Sequence, residues 1–477
     1  MNAQELLQEI SDYCRQAGLA ESTFGRRAVN DGKLTSRLRN GGRITTETLD
    51  RIRAFIQARR ATAGLPQAAI IDPTNSTSRT PTIAPKRPHT SGATVTSPAG
   101  TAEDPQRNFR FFDNRQKYLL FVNTCSEKWV VANRVSLELA NIHPRPPAVR
   151  IFDAGVGDGS VLTRVMRSMH DRFPHQPFYV AGKEISLEDV RLCLQKMADR
   201  FFEHAGTVLV LTNMNCADAP WLAVKSVNAA SSLVWHELAL TGTTSHQFEE
   251  QIMGLESFLS ENWKAGVSPK TGNPVYERPV VLVIYRADHK FLLEPIIPHP
   301  GGTQANYDLV IASQPFRLRS SLEFKSKRVL APLARSLGPG GRMIAIHSHG
   351  HDPGMEIVTK VWPEENPFAH DRHALLKATK AELGPAGRDL NFNAYADNRS
   401  LFRYDMHTLP TEISASIGTS TLFAAWNAAV YVAQIEDARL EKVITETKYL
   451  EATAEVLQKH GGLWFYDESF VISRRRE

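Results

Sequence analysis

The feature that most constrains this chain is a short apolar strand running straight into a glycine-rich turn and then a helix. Val149-Arg150-Ile151-Phe152 reads as the strand. Asp153-Ala154-Gly155-Val156-Gly157-Asp158-Gly159-Ser160 follows at once. Val161, Leu162, Val165, Met166 and Met169 then recur at the spacing of one helix face. Strand, glycine turn and helix in that order let a backbone approach a ligand where a Cβ would clash. They imply an α/β fold, and alternating strands and amphipathic helices over 107–477 agree with it.

Spacing restricts the ligand. A dinucleotide fingerprint needs glycine or alanine at the sixth place of G-x-G-x-x-G, where this chain has Ser160, with Gly159 one place early. A phosphate loop needs a terminal Gly-Lys-Ser/Thr, and none follows here. The D-A-G-x-G-D-G form of Asp153, Gly155, Gly157 and Gly159 instead resembles the first motif of class I S-adenosylmethionine-dependent methyltransferases. That resemblance implies a Rossmann-like sheet with helices on both faces, and S-adenosyl-L-methionine as cofactor.

Three further segments extend the resemblance. Phe178-Tyr179-Val180-Ala181-Gly182-Lys183-Glu184 reads as a second strand ending in an acid, and the resemblance implies that Glu184 accepts the ribose hydroxyls. Thr207–Thr212 reads as a third strand leading into a polar turn, Asn213 to Ala219. By the resemblance that turn meets adenine, with Asp218 at the amine and Met214 on the ring. Asn213 and Asn215 are rivals to Asp218. A fourth strand, Asn306–Ala312, ends in Ser313-Gln314-Pro315-Phe316, where the family places substrate contacts. Amine-methylating members carry Asn/Asp-Pro-Pro-Tyr/Phe there. This chain departs at the first two positions, so amine methylation stays open.

A helix over Lys325–Leu337, a Gly338-Pro339-Gly340-Gly341 turn and a fifth strand, Gly341–Ile346, come next. The histidines of His347-Ser348-His349-Gly350-His351-Asp352 read as a polar loop at the ligand edge, not a metal site, since no partner cluster accompanies them. One of them is a candidate general base. Methyl transfer is an in-line displacement that needs alignment more than covalent help, so no catalytic residue is assigned. Leu463–Tyr466 and Ser469–Ile472 resemble the family's closing antiparallel strands.

Two additions frame this core. Residues 109–142 form an aromatic helical lead-in (Phe109, Phe111, Phe112, Tyr118, Phe121 and Trp129 among them), suited either to covering the cofactor or to packing on the sheet. Residues 219–302 form an insert between the third and fourth strands, with a helix over Gln247–Trp263 and a strand, Val280–Tyr285, that is a candidate for the main sheet.

Composition bears on the rest. Hydrophobic residues make up 42% and charged residues 22%, ordinary for a globular protein. Four separated cysteines suggest neither a disulfide framework nor a zinc knuckle and fit a reducing, cytoplasmic setting. No apolar run reaches the length of a membrane span. Residues 1–60 hold eleven Lys or Arg against seven Asp or Glu, most of the chain's net charge of +5. That points to an anionic partner for a small basic head.

Residues 1–62 read as short helices joined by tight turns. They resemble a lambda-repressor-like helix-turn-helix, with Lys33, Ser36, Arg37 and Arg39 on the recognition helix facing DNA. Docking to protein or RNA is the alternative, and heads of this kind usually work in pairs. Residues 63–106, rich in Pro, Thr and Ser, read as a disordered linker or as an extended segment lying on the body. The expectation is a methyltransferase of unknown acceptor with a tethered DNA-binding head. The alternative is a transcriptional regulator whose methyltransferase-like domain senses a ligand without catalysis.

Overall fold

The computed structural model describes residues 3–16, 19, 21–29, 31, 34–39, 48, 51–53, 55–56, 115–268, 274–302, 305–408, 410–413 and 416–476. The expected linker, Phe109, Phe111, Phe112 and Lys33 lie outside them. The chain divides into two compact units, Met1–Ser97 and Pro98–Glu477.

In the first unit, helices α1 (Ala3–Gln16), α2 (Glu21–Val29) and α3 (Leu34–Arg39) surround Leu6, Ile10, Tyr13, Phe24, Leu34 and Leu38, with Ile52 and Ile56 completing the core. Tyr13 and Phe24 place their ring centroids 5.6 Å apart. Ser36, Arg37 and Arg39 fall on α3.

The second unit is built on one large sheet. Its strands are β1 (Val149–Asp153), β2 (Phe178–Lys183), β3 (Thr207–Thr212), β4 (Val234–Leu240), β7 (Val280–Arg286), β8 (Tyr307–Ser313), β9 (Leu337–Ser348), β10 (Leu390–Asn393), β11 (Leu401–Asp405) and β12 (Trp464–Arg474). β5 (Ala265–Val267) and β6 (Pro274–Tyr276) form a separate hairpin. The order is β10-β12-β9-β8-β1-β2-β3-β7-β4, with β11 also paired to β12. β3, β2, β1, β8 and β9 run parallel. β3 (TVLVLT) is buried throughout and β7 (VVLVIYR) nearly so, as strands covered on both faces must be. Chain order reverses between β1 and β8. In an open sheet that reversal opens a crevice at the carboxyl ends of the strands.

Helices α4 (Arg115–Thr124), α5 (Glu127–Ser136), α6 (Ser160–Arg172), α7 (Leu187–Gln195), α8 (Ser245–Met253), α9 (Glu256–Asn262), α10 (Pro353–Val361), α11 (Arg372–Leu383), α12 (Thr419–Val432) and α13 (Lys448–His460) pack around the sheet. Two apolar clusters form its faces, and a third joins α4, α10, α12 and α13. Among the described residues no helix is long and apolar enough to cross a membrane.

Val280–Tyr285 joins the main sheet, running antiparallel to β3, and carries β4 beyond it. Three expectations need correction. The helix over 247–263 is two helices, broken at Gly254, a poor helix former. The helix before β9 runs unbroken from Leu322 to Arg335, starting and ending earlier than read, and is π-helical over Lys325–Leu330. Pro332 cannot donate to the preceding turn, and β9 begins at Leu337, four residues earlier than read. Lastly, the two closing strands are the single strand β12. Asp467 and Glu468, which divide its apolar runs, are themselves buried and partnered by side chains across the sheet.

Candidate functional site

The turn after β1 is shaped by backbone bonds. Asp153 ends the strand, and its Oδ1 accepts from Gly155 N at 3.0 Å. Burial pushes the Asp153 carboxyl up to about 7. Gly157 has φ +54° and Gly159 φ +77°, a region that side chains other than glycine's avoid. A Cβ on Gly159 would lie 2.9–3.1 Å from atoms of Cys193 on α7, so this glycine also sets how closely two helices meet. A Cβ on Gly157 would meet only the Tyr118 hydroxyl, at 3.3 Å.

Glu184 locks this turn to the end of β2. Its Oε2 accepts from Gly157 N at 2.9 Å, and its Oε1 accepts from Ile185 N and Ser186 N at 2.8 and 2.9 Å. Asp158 points elsewhere, accepting from Ser160 Oγ at 2.5 Å, Lys196 Nζ at 2.6 Å and Tyr118 OH at 3.2 Å. Burial works against its charge, yet the bonds from Lys196 and Ser160 outweigh it and hold the carboxyl below its usual range.

A cleft of about 750 Å³ opens at the β1/β8 reversal. Gly155, Gly157 and Glu184 line one part of it, and Ser313, Gln314, Pro315 and Phe316 line another. These two groups of sequence-selected residues, 129 or more positions apart in the chain, therefore share one cavity. Asp153 lies buried beneath the turn, Gly159 faces α7, and neither reaches the wall. Met214 and Asp218 also stand outside it. Met214 is fully buried on the sheet face that holds Phe152 and Val210, and Asp218 accepts from Asn215 Nδ2 at 2.8 Å. Asn213 is taken up by the chain entering β7, donating to Arg278 O at 2.9 Å and accepting from Val280 N at 2.8 Å.

The loop after β8 is held from three sides. Gln314 sits at φ +47°, and its Nε2 donates to Ser348 Oγ at 3.2 Å and Asp467 Oδ1 at 3.3 Å. Burial, reinforced by the charge of Glu127, raises the Asp467 carboxyl far above its usual range. Gln434 Oε1 accepts from Leu318 N at 3.0 Å. Lys325 Nζ donates to Leu318 O at 2.7 Å and stands 5.0 Å from the centre of the Phe316 ring. Burial brings the Lys325 ammonium down to about 8.

Sequence reasoning missed most of the remaining wall. Tyr118 and Phe121 of α4 face Tyr431 of α12, with ring centroids 6.1 and 4.7 Å apart, and Tyr404 of β11 closes the aromatic end. Glu127 and Lys128 pair at 3.0 Å beside them. Tyr404 and Tyr431 carry no local motif that could have marked them. The lead-in aromatics were the available signal, and Tyr118 and Phe121 do reach the cleft.

The histidine segment behaves differently. His347, His349 and His351 do not line the cleft. His347 lies 3.2 Å from Glu468, and burial brings its imidazole down to about 4. A bond to Glu468 holds His349 above its usual value. Asp352 caps α10 through Met355 N at 2.8 Å. Among the described residues no group of three or more His, Cys, Asp or Glu is placed to hold a metal.

No family model matches the chain, and no curated protein does. Solved structures with a similar course include a geranyl diphosphate methyltransferase in complex with GPP and sinefungin, at 13% identity over 72% of this chain and 78% of that one, TM-score 0.27. Another is PKMT2 from Rickettsia typhi in complex with AdoHcy, at 11% identity over 73% and 53%, TM-score 0.26. An rRNA methyltransferase from Streptomyces viridochromogenes matches at 12% identity over 46% and 72%, TM-score 0.18.

Proposed function

We propose that the second unit is an S-adenosylmethionine-dependent methyltransferase. The observation that carries this reading is the single cavity shared by the glycine turn, Glu184 and the Ser313–Phe316 loop. The residues fit the cofactor. Gly155 and Gly157 leave their side of the cleft free of side chains, and a Cβ at Gly157 would intrude there. Glu184 already accepts three backbone bonds, and a carboxylate offers about four acceptor positions, so it can accept one more from the ligand. When bound, S-adenosylmethionine supplies an electrophilic methyl group on a sulfonium.

This chain's own residues orient and exclude water. Gly155, Gly157 and Glu184 hold the amino-acid and ribose parts, and the pinned loop at Gln314–Phe316 fixes the acceptor. The aromatic end formed by Tyr118, Phe121, Tyr404 and Tyr431 keeps water from the reacting atoms. No side chain is required to form a bond to the methyl group.

Calorimetry with S-adenosylmethionine on the full chain tests the reading. Saturable binding is expected, and its absence at millimolar cofactor would sink it. Gly157→Val should remove binding from a folded protein, because the added side chain fills the approach to the turn. Binding without turnover on any cell extract would favour the ligand-sensing regulator.

For the first unit, the reading is DNA binding through Lys33, Ser36, Arg37 and Arg39, with two copies on paired half-sites. The basic surplus of residues 1–60 supports it. Each phosphate contact should steepen the logarithmic salt dependence of a gel shift by about 0.9, so Arg37→Ala should flatten that slope by about one. An affinity indifferent to salt would favour protein docking.

A further inference from the structure

The nucleoside end of the proposed cofactor site is not where the turn after β3 would put it. Asn213 of that turn is committed to Arg278 and Val280, Met214 is sealed in the sheet core, and Asp218 is outside the cleft. The insert fills the corresponding place. β7 runs antiparallel to β3, so the chain entering β7 arrives beside the carboxyl end of β3. That chain is the β5–β6 hairpin. Its root is fixed to the cofactor side of the sheet, since Trp263 is 1% exposed and its Nε1 donates to Glu184 O at 3.0 Å. Glu277 N donates to Lys264 O at 3.0 Å and closes the base of the hairpin.

Ala265, Val267 and Pro274 line the cleft together with Ile185–Asp189. Val267 is apolar and 51% exposed while lining a cavity. An apolar side chain in that position is covered when a flat, apolar-faced ligand enters.

Resting on the cofactor reading above, we propose that the wall made by Trp263, Ala265, Val267 and Pro274 binds the adenosine portion of the cofactor, in place of Met214 and Asp218. An insertion between strands has taken over the nucleoside subsite. The adenine lies between this wall and the Ile185–Leu187 segment, with Glu277 at its polar edge.

The test is calorimetry on the full chain with S-adenosylhomocysteine and with 5′-methylthioadenosine, which keeps the nucleoside and lacks the amino-acid end. Val267→Asp sets a charge against the ring face and should weaken both ligands by about tenfold or more. Val267→Ala, which keeps the wall apolar and threatens the fold less, should weaken both by a few-fold. Val275→Asp, on an exposed residue of the same hairpin that does not line the cleft, should change neither. Unchanged affinity in both Val267 variants, or a tenfold loss in Asp218→Asn instead, would overturn the assignment. Failure of the unaltered chain to bind either ligand would instead remove the cofactor reading itself.

Discussion

The two ends of the cleft are built by different means. At the glycine turn nearly every contact that sets the shape involves backbone. Gly155 N, Gly157 N, Ile185 N and Ser186 N all donate to carboxylates, and Val156 N donates to Lys183 O at 3.0 Å. At the end lined by Ser313–Phe316 side chains do the holding. Gln314, Gln434 and Lys325 reach between elements from sites remote in sequence. A backbone-built end should tolerate a change of side-chain chemistry and fail when a Cβ is added. A side-chain-built end should fail on loss of a polar tip.

The largest expected effect probes the first half of that contrast. Asp153→Asn keeps the acceptor for Gly155 N and removes the ionisable group. The carboxyl is raised from 3.8 to about 7 in the folded chain. The folded chain therefore keeps a proton that the unfolded chain releases between pH 4 and 7. The stability this carries is complete below pH 4 and is lost as the pH rises through 7. Asparagine has no such loss. The variant should gain on the parent across that window, reaching at most about 4 kcal/mol by pH 8. Denaturant unfolding at pH 4 and pH 8 measures it, and a pH-independent difference would show that the desolvated charge is not the cause.

Gly159→Ala should be next, in the opposite direction. A left-handed backbone costs a non-glycine residue about 1–2 kcal/mol. The new Cβ would also press within 3.1 Å of Cys193, and overpacking of this kind adds about 1–3 kcal/mol. A total near 3 kcal/mol is expected, read as a lower denaturation midpoint. Gly157→Val carries the same left-handed strain at φ +54° but meets only a movable hydroxyl, so it lacks the overpacking term and should show its larger effect in binding. Equal stability losses in the two variants would mean that the turn is one undivided unit.

The same contrast explains what the sequence disclosed. The turn, its strand and its helix are contiguous, so their chemistry is legible in one window from Val149 to Met169. The runs of β2, β3 and β8 were legible because each is apolar and short. The hand of β7 was not, because parallel and antiparallel pairings bury the same residues. The unity of β12 was hidden by Asp467 and Glu468, whose partners lie on β9, α11 and the loop after β8. Tyr404, Tyr431 and Gln434 acquire their positions only when α12 and β11 dock on α4, and nothing near them in the chain marks that contact. Met214 and Asp218 follow only from the family resemblance of the turn after β3, and the insert alters what that turn faces.

The smallest effect tests the side-chain-built end. Gln434→Met preserves length and removes the oxygen that accepts from the buried Leu318 N. A buried donor left without a partner costs about 1–3 kcal/mol, part of which the softer side chain recovers by packing. The loss should be local. Amide exchange should accelerate at Leu318 and its neighbours, while the amides of Gly157 and Ile185, held by Glu184, keep their protection. Cofactor affinity should suffer far less than in Gly157→Val. If exchange rises equally at both ends, the ends are coupled through the shared cavity. Gln314 is then the link to examine, because its backbone N donates to Ile346 O while its side chain grips Asp467.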